Sequence, residues 1–258
     1  MAKRWGLQES ALSQLLHYLS SAFHGDLGVS MIHPDRRIID IITDGLSNTF
    51  GLSLVSLAFV IIGAFTITLV SIRYRETWFE TLIDQSMIAM LSLPSLFWGP
   101  LLIYIFGFYF DILPVAFLTS PIHYILPVLT LSFRPLASLV RLLKTSVNEN
   151  LHLDYVRTAQ AKGVGPWGIL INHILRNSLI PFLSYAGFLV TSLLSGSFLV
   201  EWLFAIPGLG TQFVNSLGDR DYTLIVGITV FYGALLILVN TLMDILMLLA
   251  DPRLREEA

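Results

Sequence analysis

Residues 144–176 read KTSVNENLHLDYVRTAQAKGVGPWGILINHILR, and Asn177-Ser-Leu-Ile-Pro181 follows at once. The stretch is a polar, mixed-charge island between hydrophobic spans. A connector of about thirty residues is long, and segments of that length are usually functional or disordered. Its Ala, Leu, Ile and Val residues recur at helical spacing, so it is expected to fold. In a chain otherwise suited to lipid, the island works in water and reads as a docking surface for a second protein.

The flanks set that frame. Apolar residues make up 55% of the 258 and charged residues 13%, about half the charged share of a soluble domain. Five windows exceed the roughly 20 residues a helix needs to cross a bilayer. They are Gly45–Ile72, Gln85–Phe110, Ile122–Leu143 (interrupted by Arg134 and Arg141), Asn177–Val200 and Tyr222–Ala250, which carries only Asp244. Backbone polar groups cannot go unpaired in hydrocarbon, so such windows are helices. The expected fold is all-α: a polytopic membrane protein with five transmembrane helices.

Lysine and arginine placement orients the spans. With the island inside, that face collects Arg73, Arg75, Arg141, Lys144, Arg157, Lys162, Arg176, Arg253 and Arg255. The opposite loops, Asp111–Pro121 and Ala205–Asp221, hold only Arg220. The C-terminus is therefore expected in the cytoplasm. Five spans then put the N-terminal region outside, yet it carries Lys3, Arg4, Arg36 and Arg37 and no signal peptide. The expectation is an additional first span upstream of Met1. Within 1–46, Leu12, Leu15, Leu16, Leu19 and Phe23 form an apolar helical stripe. Gly25-Asp-Leu-Gly28 breaks that helix, and a second short helix is expected over Asp35–Leu46.

Cysteine is absent, which excludes disulfides and thiol chemistry. The six histidines (17, 24, 33, 123, 152 and 173) never pair at metal-ligand spacing, so no metal site or catalytic residue is assigned. Gly163-Val-Gly165-Pro-Trp-Gly168 matches G-x-G-x-x-G without the preceding strand a dinucleotide site needs. It reads as a helix break. Of the span charges, Glu201 and Asp244 lie near span ends, where pairing or snorkelling suffices. Arg134 is deeper, and a path or gate role stands level with a structural one. All three are kept as possible pathway or gate residues.

The string Asp154-Tyr-Val-Arg-Thr-Ala-Gln-Ala-Lys-Gly163 with His173-Ile-Leu-Arg-Asn-Ser-Leu-Ile-Pro181 resembles the cytoplasmic loop of bacterial ABC importer permeases. More narrowly, it resembles the B-type permease of dipeptide, oligopeptide and nickel importers. Gly25-Asp-Leu-Gly28, Glu201-Trp-Leu-Phe-Ala-Ile-Pro-Gly-Leu-Gly210, Arg220-Asp-Tyr222 and Asp251-Pro-Arg253 agree with it. The general signature opens Glu-Ala-Ala, where this chain has Arg157-Thr158-Ala159; His173 and Arg176 also depart from it, in the manner of the peptide and nickel branch. Members usually begin with a membrane helix before the external region.

The resemblance implies a MetI-like importer permease fold and three regions. These are an external amphipathic region (1–46), a transmembrane permease domain (47–250) containing the coupling loop 144–176, and a cytoplasmic tail (251–258). It implies a short helix that seats in a separate ABC ATPase, involving Asp154, Tyr155, Arg157, Thr158, Ala159, Ala161, Lys162, Gly163 and Trp167. Small residues would allow close approach, Arg157 and Lys162 would pair with carboxylates, and Trp167 would anchor the helix base. Implied partners are two ATPase subunits, a second homologous permease, an extracytoplasmic solute-binding protein and the lipid bilayer of the inner membrane; no cofactor or nucleic acid is implied. An ion-coupled secondary transporter is the alternative and should show repeats with broken helices. An intramembrane enzyme would need a base beside Ser192, Ser195 or Ser197, and their span has no histidine.

Overall fold

The computed structural model describes residues 10–250; the tail 251–258 and the charges of Lys3, Arg4, Arg253 and Arg255 lie outside the described residues. Among the described residues the regular structure is helical, apart from one isolated bridge between Val29 and Arg37.

Helix α1 (Ala11–Phe23) is capped by the Ser10 hydroxyl, which accepts from Ser13 N–H. It stops before Gly25 and Gly28, whose φ values of 81° and 84° favour glycine. Its apolar side chains Leu12, Leu16 and Phe23 remain exposed. Helix α2 (Ile38–Arg73) runs unbroken for 36 residues. The short helix expected over Asp35–Leu46 is thus the first turns of this span, and the division at 46 falls inside it. No proline interrupts α2, and Gly45 lets the backbone of Gly208 and Leu209 approach; a Cβ there would lie 3.0 Å from Leu209 N.

The second apolar window departs from a simple span. Helix α3 (Trp78–Ser92) and helix α4 (Ser95–Leu102), with its π-helical continuation Ile103–Tyr109, meet at 107°. Pro94 explains the break: it lacks an N–H and forces Leu93 into extended backbone, ψ 138°. Helix α5 (Ile125–Asn150) follows a 3₁₀ turn at Pro121–Tyr124. Two short helices, α6 (Asp154–Ala161) and α7 (Pro166–Ile169), cross the polar island and lead through π-helical Leu170–Ile174 into α8 (Leu175–Leu203). Then come α9 (Leu209–Asp219) and α10 (Tyr222–Ala250). Among the described residues four helical stretches are long and apolar enough to span a membrane, and the bent α3–α4 pair makes a fifth if it is one span.

The central core joins α2, α5 and α8 through Leu52, Val60, Leu126, Leu139, Leu143 and Leu193. Two further clusters define opposite ends. At one end Ile38, Ile42, Leu209, Leu224 and Ile228 pack together. Asn48 donates to Pro207 O, and Phe117 N–H to Phe204 O, at 2.9 Å each. At the other end Val147, Val156, Ala159, Ile169, Leu170 and Ile174 pack against Leu69 and Ile72.

Candidate functional site

The island is shorter as a loop than its polarity suggests, because α5 continues to Asn150. Helix α6 places Asp154 in its first turn, where the helix dipole favours an anion. Val156 and Ala159, three residues apart, point inward and are 1% and 6% exposed. Arg157, Thr158, Ala161, Lys162 and Gly163 are exposed. Gly163, at φ 80°, ends the helix by donating its N–H to Gln160 O. Ala159, expected on the docking face, instead belongs to the chain's own packing: a residue three positions from Val156 shares its inner face.

The remaining loop residues have mixed placements. Tyr155 is half-buried and donates its hydroxyl to Asn150 Oδ1 at 2.7 Å, tying α6 to the end of α5. Thr158 donates to Asp154 O, and Arg157 lies 3.5 Å from Asp154 in an exposed pair. Trp167 is 47% exposed. It borders a cleft of about 440 Å³ with Ile72, Arg73, Val156, Gln160 and Leu170.

The three span charges differ sharply. Glu201 is fully buried at the end of α8, and its Oε2 accepts from Gly210 N–H at 2.7 Å, across the Glu201–Gly210 turn. Thr49 on α2 accepts from Leu209 N–H at 2.9 Å beside it. This is a carboxylate at a helix N-terminus. Arg134 is exposed near the middle of the Pro121–Asn150 span, and Asp244 is exposed on α10. Among the serines weighed for enzymatic chemistry, Ser192 and Ser197 donate back to Leu189 O and Leu194 O of their own helix.

Two constellations were not legible beforehand. Lys144 Nζ lies 3.1 Å from Glu80 Oε1 and 2.6 Å from Asp84 Oδ1, joining α5 to α3. Asp221 sits at the start of α10 and gathers the segment 30–32: it accepts from the Ser30 hydroxyl, from Met31 N–H at 3.1 Å and from Leu224 N–H at 3.1 Å. Burial pushes its carboxyl up, but these hydrogen bonds outweigh that and hold it below the usual aspartate range.

The family model described as "Binding-protein-dependent transport system inner membrane component" matches residues 60–256. The dipeptide transport system permease protein of Bacillus subtilis is 36% identical over 249 residues, covering 96% of this chain and 81% of the relative. The oligopeptide transport system permease protein of Haemophilus influenzae is 33% identical over 255 residues, covering 98% and 83%. The glutathione transport system permease protein of Escherichia coli is 34% identical over 250 residues, covering 97% and 81%. In fold, the chain resembles the inward-facing MetNI methionine ABC transporter at a TM-score of 0.67 and 14% identity, covering 83% of this chain and 97% of that one.

Proposed function

The chain belongs to the binding-protein-dependent transport system inner membrane components, in the peptide branch of the ABC importer permeases, and from that premise we propose how it works. It is a multi-pass membrane permease and a transport subunit rather than an enzyme. Its relatives favour this reading over an ion-coupled transporter. In our reading it forms half of a translocation path for peptides or a related small solute. ATP hydrolysis resides in separate subunits, a second homologous permease completes the path, and an extracytoplasmic binding protein delivers cargo.

The observation that carries the docking reading is the presentation of α6. One face is buried in the chain's own cluster, while Arg157, Thr158, Ala161 and Lys162 project from the end of the molecule. A short helix so anchored moves with α5 and α8 as a rigid body, so a displacement by the ATPase reaches the spans. In this reading that end faces the cytoplasm together with the C-terminus. It holds Arg73, Arg75, Arg141, Lys144, Arg157 and Lys162, whereas the other end holds Arg220 together with Arg36 and Arg37, which are paired with Asp44 and Asp40.

Cysteines introduced at Thr158 or Ala161 should crosslink to the co-expressed ATPase in a complex that hydrolyses ATP. Absence of any such crosslink in a complex active for uptake would overturn the docking reading. An impermeant thiol reagent applied to intact cells should label cysteines at Ala116 and Gly218 but not at Trp78 or Gly165. The reverse pattern would overturn the orientation.

A further inference from the structure

The uncovered face of α5 is chemically unlike those of the other spans. Between Leu126 and Asn150 its exposed positions are Arg134, Arg141, Thr145, Asn148 and Glu149, every one polar. Arg134, Ser138, Arg141, Thr145 and Asn148 follow one another at intervals of four, three, four and three residues, a single stripe down one helix face. The exposed faces of α2 and α10 instead present Leu54, Phe59 and Ile62, and Val226, Ile237 and Leu242. Those two faces suit hydrocarbon. The stripe on α5 does not.

Arg134 sharpens the contrast. It stands near mid-span, and among the described residues it has no ion pair. A charge at that depth costs at least about 2.5 kcal/mol against lipid, so such residues face water or protein. Arg141 follows two turns on, about 10 Å along the axis. Among the described residues it too has no ion pair, although Glu80, Asp84 and Lys144 share its cavity of about 420 Å³. There Lys144 lies within ion-pair distance of both carboxylates, and neither carboxylate lies within 4.0 Å of the Arg141 guanidinium. A planar guanidinium fork fits a carboxylate in a way that a hydroxyl or amide does not.

We propose that this stripe is the wall of the translocation path, and that Arg134 and then Arg141 receive a carboxylate of the cargo as it passes inward. The ligand is a carboxylate-bearing solute, such as a peptide with a free C-terminus. Two seats about two turns apart let one charge be handed on without being left bare between them. This inference rests on the permease reading: only in a half-path does the uncovered face of α5 meet the aqueous lumen.

The test uses the complete transporter with its binding protein, reconstituted in vesicles, and the absence of cysteine from this chain. Arg134→Cys and Arg141→Cys should each cut uptake of a free-acid peptide at least tenfold, while the ATPase still co-purifies and hydrolyses ATP. Both cysteines should react with hydrophilic methanethiosulfonates. The aminoethyl reagent, which restores a cation, should recover uptake, and the sulfonatoethyl reagent should not. Arg134→Lys keeps the charge without the fork, so it should transport less than the native chain but clearly more than Arg134→Cys, which guards against a mere folding defect. Failure of position 134 to react, or recovery that ignores the sign of the added charge, would overturn the inference. Loss of ATPase association from the unmodified chain would instead count against the permease reading itself.

Discussion

Glu201 and Gly210 close the α8–α9 corner: the Glu201 carboxylate accepts from Gly210 N–H at 2.7 Å in a site sealed from solvent. The turn leaves no room for larger residues. A Cβ on Gly208 would collide with Glu201 Oε2, and one on Gly210 would collide with the Phe198 backbone. Gly210→Ala should therefore destabilise more than Glu201→Gln, whose side-chain oxygen can still accept the N–H. Glu201→Ala orphans a buried donor and opens a cavity, a loss on the order of 3 kcal/mol. The midpoint of thermal inactivation in detergent should rank the three variants, with Glu201→Gln the least affected.

Asp221 makes the position of the segment 30–32 dependent on pH. Its folded-state carboxyl is depressed below the ordinary value of about 3.9. Docking is therefore fully present above that ordinary value and is lost only as pH falls through the lower, folded one. Labelling of a cysteine placed at exposed Ile32 should stay constant from about pH 5 to 8 and rise only under strong acid. Asp221→Asn removes the charge and should raise labelling severalfold at neutral pH. An unchanged rate in that variant would show that the carboxylate is dispensable.

The Lys144 bridge should behave as a partly buried pair. Lys144 is 12% exposed, against 23% for Glu80 and 48% for Asp84. Lys144→Met leaves two facing carboxylates and should cost about 1–3 kcal/mol, below the 3–5 of a fully buried pair because solvent reaches Asp84. Asp84→Asn should cost little. The exchange Lys144→Glu with Glu80→Lys should recover stability relative to Lys144→Glu alone, measured by the same inactivation assay.

The two faces of α6 should separate folding from docking. Ala159→Arg forces a charge into the Val156–Ile169–Ile174 cluster and should reduce the amount of chain in the membrane. Ala161→Arg and Lys162→Glu alter the exposed face and should leave membrane abundance intact while lowering ATPase co-purification severalfold. Equal abundance of all three variants would contradict the burial of Ala159.

Apolar windows made the spanning helices legible, and Pro94 already marked the weak point of the second one. The angle it produces was not legible, because it depends on how α4 seats its Gly99 beside Thr130 and Leu203. Small size suggests close approach of Ala159 to a partner, whereas its register with Val156 turns it inward. In sequence Arg134 stands alone inside a span and Arg141 is one of many inside charges; their common stripe emerges once the buried face of α5 is known. Ser30 and Asp221 are 191 positions apart, and no local pattern announces such a pair.

Helix α2 has a mechanical consequence. Its first turns pack into the cluster containing Leu209 and Leu224, while Leu69 and Ile72 in its last turns lie against the packing beneath α6. At 1.5 Å per residue its 36 residues form a rod of about 54 Å. A tilt of about 10° pivoting at one tip carries the other through about 9 Å, by the geometry of a straight rod of that length. The chain thus contains a lever arm that needs no relay of side-chain rearrangements, and its gain is set by where along α2 the fulcrum lies.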